Sequence, residues 1–162
     1  KAASRKGLLT RCRYVHFATH GILGLDTGRQ PSMVLTLVGN DGTIEGGGAN
    51  DGFLQLDEVT NLKLNADLVV LSACRSGQGR LNAGEGVTGL GRAFLHAGSR
   101  GVVCSLWPVD DRETGLLMKG MYRRLKEANQ PVTADALRAA KLEMLKAKKA
   151  PFYWAPFLLI GE

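Results

Sequence analysis

Two residues in this sequence have the side chains and the surroundings for nucleophilic attack on a carbonyl. His20 is followed at once by Gly21, and Cys74 is framed by Ser72, Ala73, Ser76 and Gly77. A thiol attacks a peptide carbonyl as the thiolate, and a nearby imidazole favours that form or protonates the leaving amine. The oxyanion that results needs backbone donors. Gly21 can bring its N–H close because it has no side chain in the way, and the Cys74 N–H is the natural second donor. The small residues around Cys74 leave room for a substrate backbone. Taken singly, each residue has a plainer explanation: Cys74 as a small buried hydrophobe, His20 as a turn residue with a satisfied ring. What separates the two readings is where the surrounding elements put them.

Residues 13–19, Arg-Tyr-Val-His-Phe-Ala-Thr, read as a buried strand bounded by Gly21. Residues 33–38 read as a second strand, ended by a turn at Asn40, Asp41 and Gly42. Thr43 to Gly52 holds four glycines and reads as a surface loop. A short helix over about 56–62 precedes the run from Asp67 to Ala73, whose nearly continuous apolar character is that of a strand buried on both faces of a parallel sheet. A Gly-rich loop from Arg75 to Ala83 leads to a helix over about 85–97 that ends at Gly98. A strand over 101–107 stops at Pro108. Two amphipathic helices follow, over about 111–127 and 133–147, and Trp154 to Ile160 reads as a last strand that Pro156 places at an edge.

Strands alternating with helices imply an α/β fold with right-handed crossovers: an open, mostly parallel sheet flanked by helices on both faces. In such sheets the working residues sit just beyond the carboxyl ends of the strands. His20 and Cys74 both fall there. If their two strands are neighbours, a spacing of about 4.8 Å brings both side chains within reach of one substrate carbonyl.

Composition narrows the function classes. The chain has 162 residues, 44% of them hydrophobic, enough for one domain with a substantial core. No apolar run approaches the roughly 20 residues of a membrane helix, so no membrane partner is expected. The net charge of +6, from 21 basic and 15 acidic residues, gathers partly at Lys1, Arg5 and Lys6 and at Lys141, Lys146, Lys148 and Lys149. No recognition motif or aromatic interleaving accompanies it, so these read as solvated faces and not as a nucleic-acid surface. Cys12, Cys74 and Cys104 are an odd, sparse set, which argues against a disulfide framework and for a reducing, cytoplasmic setting. No C-x-x-C pair or His/Cys cluster points to a metal, and no cofactor is expected. Cys12, Cys104, His16 and His96 lack flanking signatures and are assigned to packing or surface. The sequence starts at Lys1 without Met, from which we expect a fragment or a processed chain.

A competing motif is Gly84-Glu85-Gly86-Val87-Thr88-Gly89, which matches G-x-G-x-x-G and is followed about twenty residues on by Asp110. A dinucleotide site needs those glycines immediately after the strand, where the turn holds the pyrophosphate. Here residues 74–83 intervene, and dinucleotide binding is set aside.

The flanking sequences decide between the readings of His20 and Cys74. Phe17-Ala18-Thr19-His20-Gly21 and Leu71-Ser72-Ala73-Cys74-Arg75-Ser76-Gly77 resemble the histidine and cysteine motifs of the CHAT family, caspase-like domains of bacteria and archaea related to separases. The likeness continues through Gly84-Glu85-Gly86-Val87, Gly89-Leu90, Arg92-Ala93-Phe94, Ser105-Leu106-Trp107-Pro108-Val109-Asp110-Asp111 and Tyr153-Trp154-Ala155-Pro156-Phe157, nearly the whole chain.

The resemblance implies a caspase–haemoglobinase-like fold and a cysteine endopeptidase acting on protein or peptide substrates. His20 would be general acid/base and Cys74 nucleophile, with no essential third member. It implies a regulatory partner or fused helical-repeat region, so the isolated chain is expected to be weakly active, with loops 40–52 and 75–84 ordered by partner or substrate. It also implies a β–α element before the His20 strand that this chain lacks, supplied by a separate fragment if at all. Arg75 and Ser76 stand where Glu or Gln and Thr are commoner. Pocket candidates beside the dyad are Asp26, Asp110 and Asp111, which would select Lys or Arg, and Arg75, which would select an acidic residue. Asp110 or Asp111 is equally suited to capping the helix that starts near 112. The alternative function is a catalytically silent caspase-like interaction module.

Overall fold

The computed structural model describes residues 7–22, 32–36, 51–72, 83–127 and 132–161. After a 3-10 turn at Leu8–Arg11, the elements are β1 (Tyr14–Phe17), β2 (Gly21–Ile22), β3 (Ser32–Val34), β4 (Phe53–Gln55), α1 (Leu56–Thr60), β5 (Ala66–Leu71), α2 (Ala83–His96), β6 (Ser99–Ser105), α3 (Asp111–Glu127), α4 (Thr133–Lys146) and β7 (Phe157–Gly161). The main sheet has the order β1, β5, β6, β7. β1, β5 and β6 run parallel, and β7 joins antiparallel at the edge, the position Pro156 favours.

The apolar run of β5 is buried on both sides because both faces carry helices. Val69 and Leu71 pack with Leu90, Ala93 and Phe94 of α2, together with Val102 and Cys104 of β6. Leu68 and Val70 point the other way, onto Leu117, Met121 and Leu125 of α3 and Leu137, Ala140 and Met144 of α4. The side-chain period of two along the strands and of 3.6 along the helices divides one sequence into two cores. The same parity places Tyr14 with the α3 core and Val15 and Phe17 with the α2 core.

The sheet is therefore the expected mixed α/β arrangement, mostly parallel and flanked by helices. Differences lie at the margins. The strand expected over 33–38 is Ser32–Val34, and it belongs to a separate antiparallel sheet with β2 and β4. Strands of two and three residues carry no readable period, so this second sheet has no signature in the sequence. β6 begins at Ser99, directly after Gly98, because Gly98 ends α2 with φ of +106°. The last strand starts at Phe157 because Pro151–Tyr153 form a 3-10 turn and the Trp154 indole N–H donates to the Lys149 carbonyl at 3.1 Å. The turn expected at 40–42, most of the loop over 43–52 and the loop over 75–83 lie outside the described residues except for Asp51, Gly52 and Ala83. None of the described helices is long and apolar enough to cross a membrane.

Candidate active site

β1 and β5 are neighbours, in parallel register, with Phe17 opposite Leu71. The ladder runs one residue further, where the Ser72 N–H donates to the Phe17 carbonyl at 3.2 Å. His20 is the third residue after Phe17, and Cys74 is the third after Leu71. Both therefore follow, in sequence, the carboxyl ends of adjacent parallel strands at the same offset. Cys74 itself lies outside the described residues, as do Arg75 and Asp26.

His20 is exposed and is held by the chain on both sides of it. Its carbonyl accepts the Val34 N–H at 2.8 Å, and the hydroxyl of Thr19 donates to the Val34 carbonyl. Gly21 begins β2 and pairs with Met33. With the bond falling on His20, one residue earlier, antiparallel geometry makes Gly21 and Met33 a non-hydrogen-bonded pair. The Gly21 N–H is thereby directed away from β3.

Beside this strand end lies a hydrogen-bonded chain that sequence reading missed. The His16 Nε2 and Ser72 Oγ are 2.7 Å apart, and the Tyr122 hydroxyl and His16 Nδ1 are 3.0 Å apart. The His16 and Tyr122 rings also pack, with centroids 5.7 Å apart. Burial pushes the His16 pKa below its ordinary value and the Tyr122 pKa up to about 12. His16, expected to serve packing or surface, is exposed and packs on the Tyr122 ring. The available signal was parity: His16 lies opposite Val70, so it shares the α3 face of the sheet with Tyr14 and with Ser72, two residues beyond Val70.

The remaining residues fall as follows. Asp110 caps α3, its Oδ1 accepting the N–H groups of Arg112 at 2.9 Å and Glu113 at 3.2 Å, and both Asp110 and Asp111 are exposed. Cys104 is fully buried inside β6, and the Cys12 thiol is directed at the Leu8 carbonyl, so both are packing residues. His96 is exposed at the end of α2. Gly84, Gly86 and Gly89 lie within α2 and not in a strand-to-helix turn, and residues 72–82 separate that helix from β5, which removes the geometry of a dinucleotide site. Among the described residues no group of three His, Cys, Asp or Glu side chains could hold a metal ion. A groove of about 520 Å³ lined by Leu137, Lys141, Trp154 and Phe157 lies between α4 and β7, at the sheet edge opposite β1 and away from His20.

Comparison with known proteins agrees with the motif reading. The family described as CHAT domain matches residues 2–162. Tetratricopeptide repeat protein 28 of Mus musculus is 33% identical over 108 residues, which are 65% of this chain and 4% of that protein. Its counterpart of the same name in Homo sapiens is 29% identical over 181 residues, 95% of this chain and 7% of that protein. The chain thus spans less than a tenth of the length of these curated relatives. Both are mammalian, whereas the sequence resemblance had pointed to a bacterial or archaeal setting.

Proposed function

Because the chain belongs to the CHAT domain family, we propose that it is a cysteine endopeptidase domain of caspase–haemoglobinase type, with Cys74 as nucleophile and His20 as general acid/base. The observation that carries this reading is the register of β1 against β5, which gives His20 and Cys74 equal offsets beyond neighbouring strand ends. The Cys74 thiolate attacks the scissile carbonyl carbon, and the N–H groups of Gly21 and Cys74 receive the oxyanion. As the C–N bond breaks, His20 protonates the leaving amine and a thioester remains on Cys74. Water, deprotonated by His20, then attacks the thioester and restores the thiol. Asp110 is engaged as a helix cap, which leaves Asp26, Asp111 and Arg75 as the side chains to test for substrate preference. The relatives named for tetratricopeptide repeats support a setting in which a repeat region, fused or separate, governs the domain.

The test is cleavage of a peptide library by wild type, Cys74→Ala and His20→Ala. Each variant is expected to lose cleavage by about 10⁴-fold or more while keeping its circular dichroism spectrum. Full activity in Cys74→Ala ends the proposal.

A further inference from the structure

We infer that His16 is a positioning residue: its imidazole, braced by Tyr122 and bonded to Ser72, fixes the end of β5 from which Cys74 follows. The inference rests on the reading of Cys74 as nucleophile and adds to it a group that acts through Ser72.

Three elements meet at this ring. His16 lies on β1, Ser72 directly follows β5, and Tyr122 comes from α3. Both ring nitrogens are engaged, by Ser72 Oγ at 2.7 Å and by the Tyr122 hydroxyl at 3.0 Å. Tyr122 itself packs in the α3 core, which gives the chain of bonds a rigid anchor. Partial desolvation lowers the His16 pKa below its ordinary value, so near pH 7 the ring is neutral and one ring nitrogen donates while the other accepts. The two hydroxyls satisfy either tautomer, so the ring is held at two points.

Ser72 is held twice as well, through its N–H to Phe17 and its hydroxyl to His16. In sequence Cys74 follows two positions on. The backbone ladder alone fixes the position of Ser72 along the strand, and the side-chain bond fixes its rotation toward α3. Because catalysis falls steeply when reacting groups are misplaced by as little as an ångström, a clasp at this point acts on rate more than on binding. A bond serving stability alone would show the reverse pattern: a lower melting temperature with unchanged reactivity at Cys74.

The experiment uses the whole chain and compares wild type with Ser72→Ala, Ser72→Thr and Tyr122→Phe. Two quantities are read: the rate at which iodoacetamide alkylates Cys74 at pH 7, followed by peptide mass with Cys12 as internal reference, and kcat and KM for peptide cleavage. Ser72→Ala and Tyr122→Phe are expected to slow alkylation of Cys74 but not of Cys12. They are also expected to lower kcat by about 10- to 100-fold with KM within about twofold, and Ser72→Thr to restore both. Wild-type alkylation and kcat in Ser72→Ala overturns the inference, and if that variant does not fold, the same result in Tyr122→Phe does so. If wild type cleaves no peptide at all, the endopeptidase reading fails, while the alkylation rates still decide the role of His16.

Discussion

His16 joins two hydroxyl partners, Tyr122 and Ser72, in surroundings that disfavour the imidazolium. Its pKa in the folded chain lies below the ordinary 6.5, so below that pH the unfolded chain takes up a proton that the folded chain refuses. The resulting stability is fully present above about pH 6.5 and is lost as the pH falls toward the lower folded value. Urea unfolding at pH 7.5 and 5.5 should show this loss in wild type and a smaller one in His16→Gln. Equal losses in the two proteins would contradict it. At this scale the sequence was half legible. His20 and Cys74 are candidates because their flanking sequences resemble the histidine and cysteine motifs of the CHAT family. His16, in the middle of Tyr14–Phe17, looks like any strand residue until the register against β5 shows what lies beside it.

The secondary elements were legible where burial imposes a long period and obscure where it does not. β5, β6 and the helices α2 to α4 carry that period; β2, β3 and β4 together span eight residues and pair through backbone bonds that leave no composition signal. Three predictions belong here, each read by denaturant unfolding. Gly98 closes α2 at φ of +106°, and a Cβ at this position would collide with the Leu64 carbonyl oxygen. Gly98→Ala should therefore cost about 1–3 kcal/mol, measured by denaturant unfolding, and a neutral result would refute the close approach. Glu113, buried in the first turn of α3, bonds through Oε1 to Lys149 at 2.7 Å, while its Oε2 has no hydrogen-bond partner among the described residues. Lys149→Met leaves a buried carboxylate unpaired. About 2 kcal/mol is expected, less than a fully buried pair would lose because a third of the Lys149 side chain remains exposed. Glu143, which accepts from Arg123 and Arg124 across α3 and α4, is the contrast. Its guanidinium partners hold its carboxyl below the usual range, yet the groups are about half exposed, so Glu143→Gln should change stability by less than about 1 kcal/mol.

At the scale of the molecule, the sheet brings two strand ends together, and the rest of the chain serves to hold them. The α2 core lies on one face and the α3–α4 core on the other, so β1 and β5 are fixed relative to each other and the residues that follow them start from a rigid base. The relatives extend far beyond this chain. The central claim, that Cys74 is a nucleophile made reactive by His20, is tested most directly by a peptidyl electrophile, a short peptide ending in an acyloxymethyl ketone. Intact mass and peptide mapping should find one adduct per chain, on Cys74, absent in Cys74→Ala and formed far more slowly in His20→Ala. An adduct confined to Cys12, or labelling of Cys74 at the same rate with and without His20, would contradict the account.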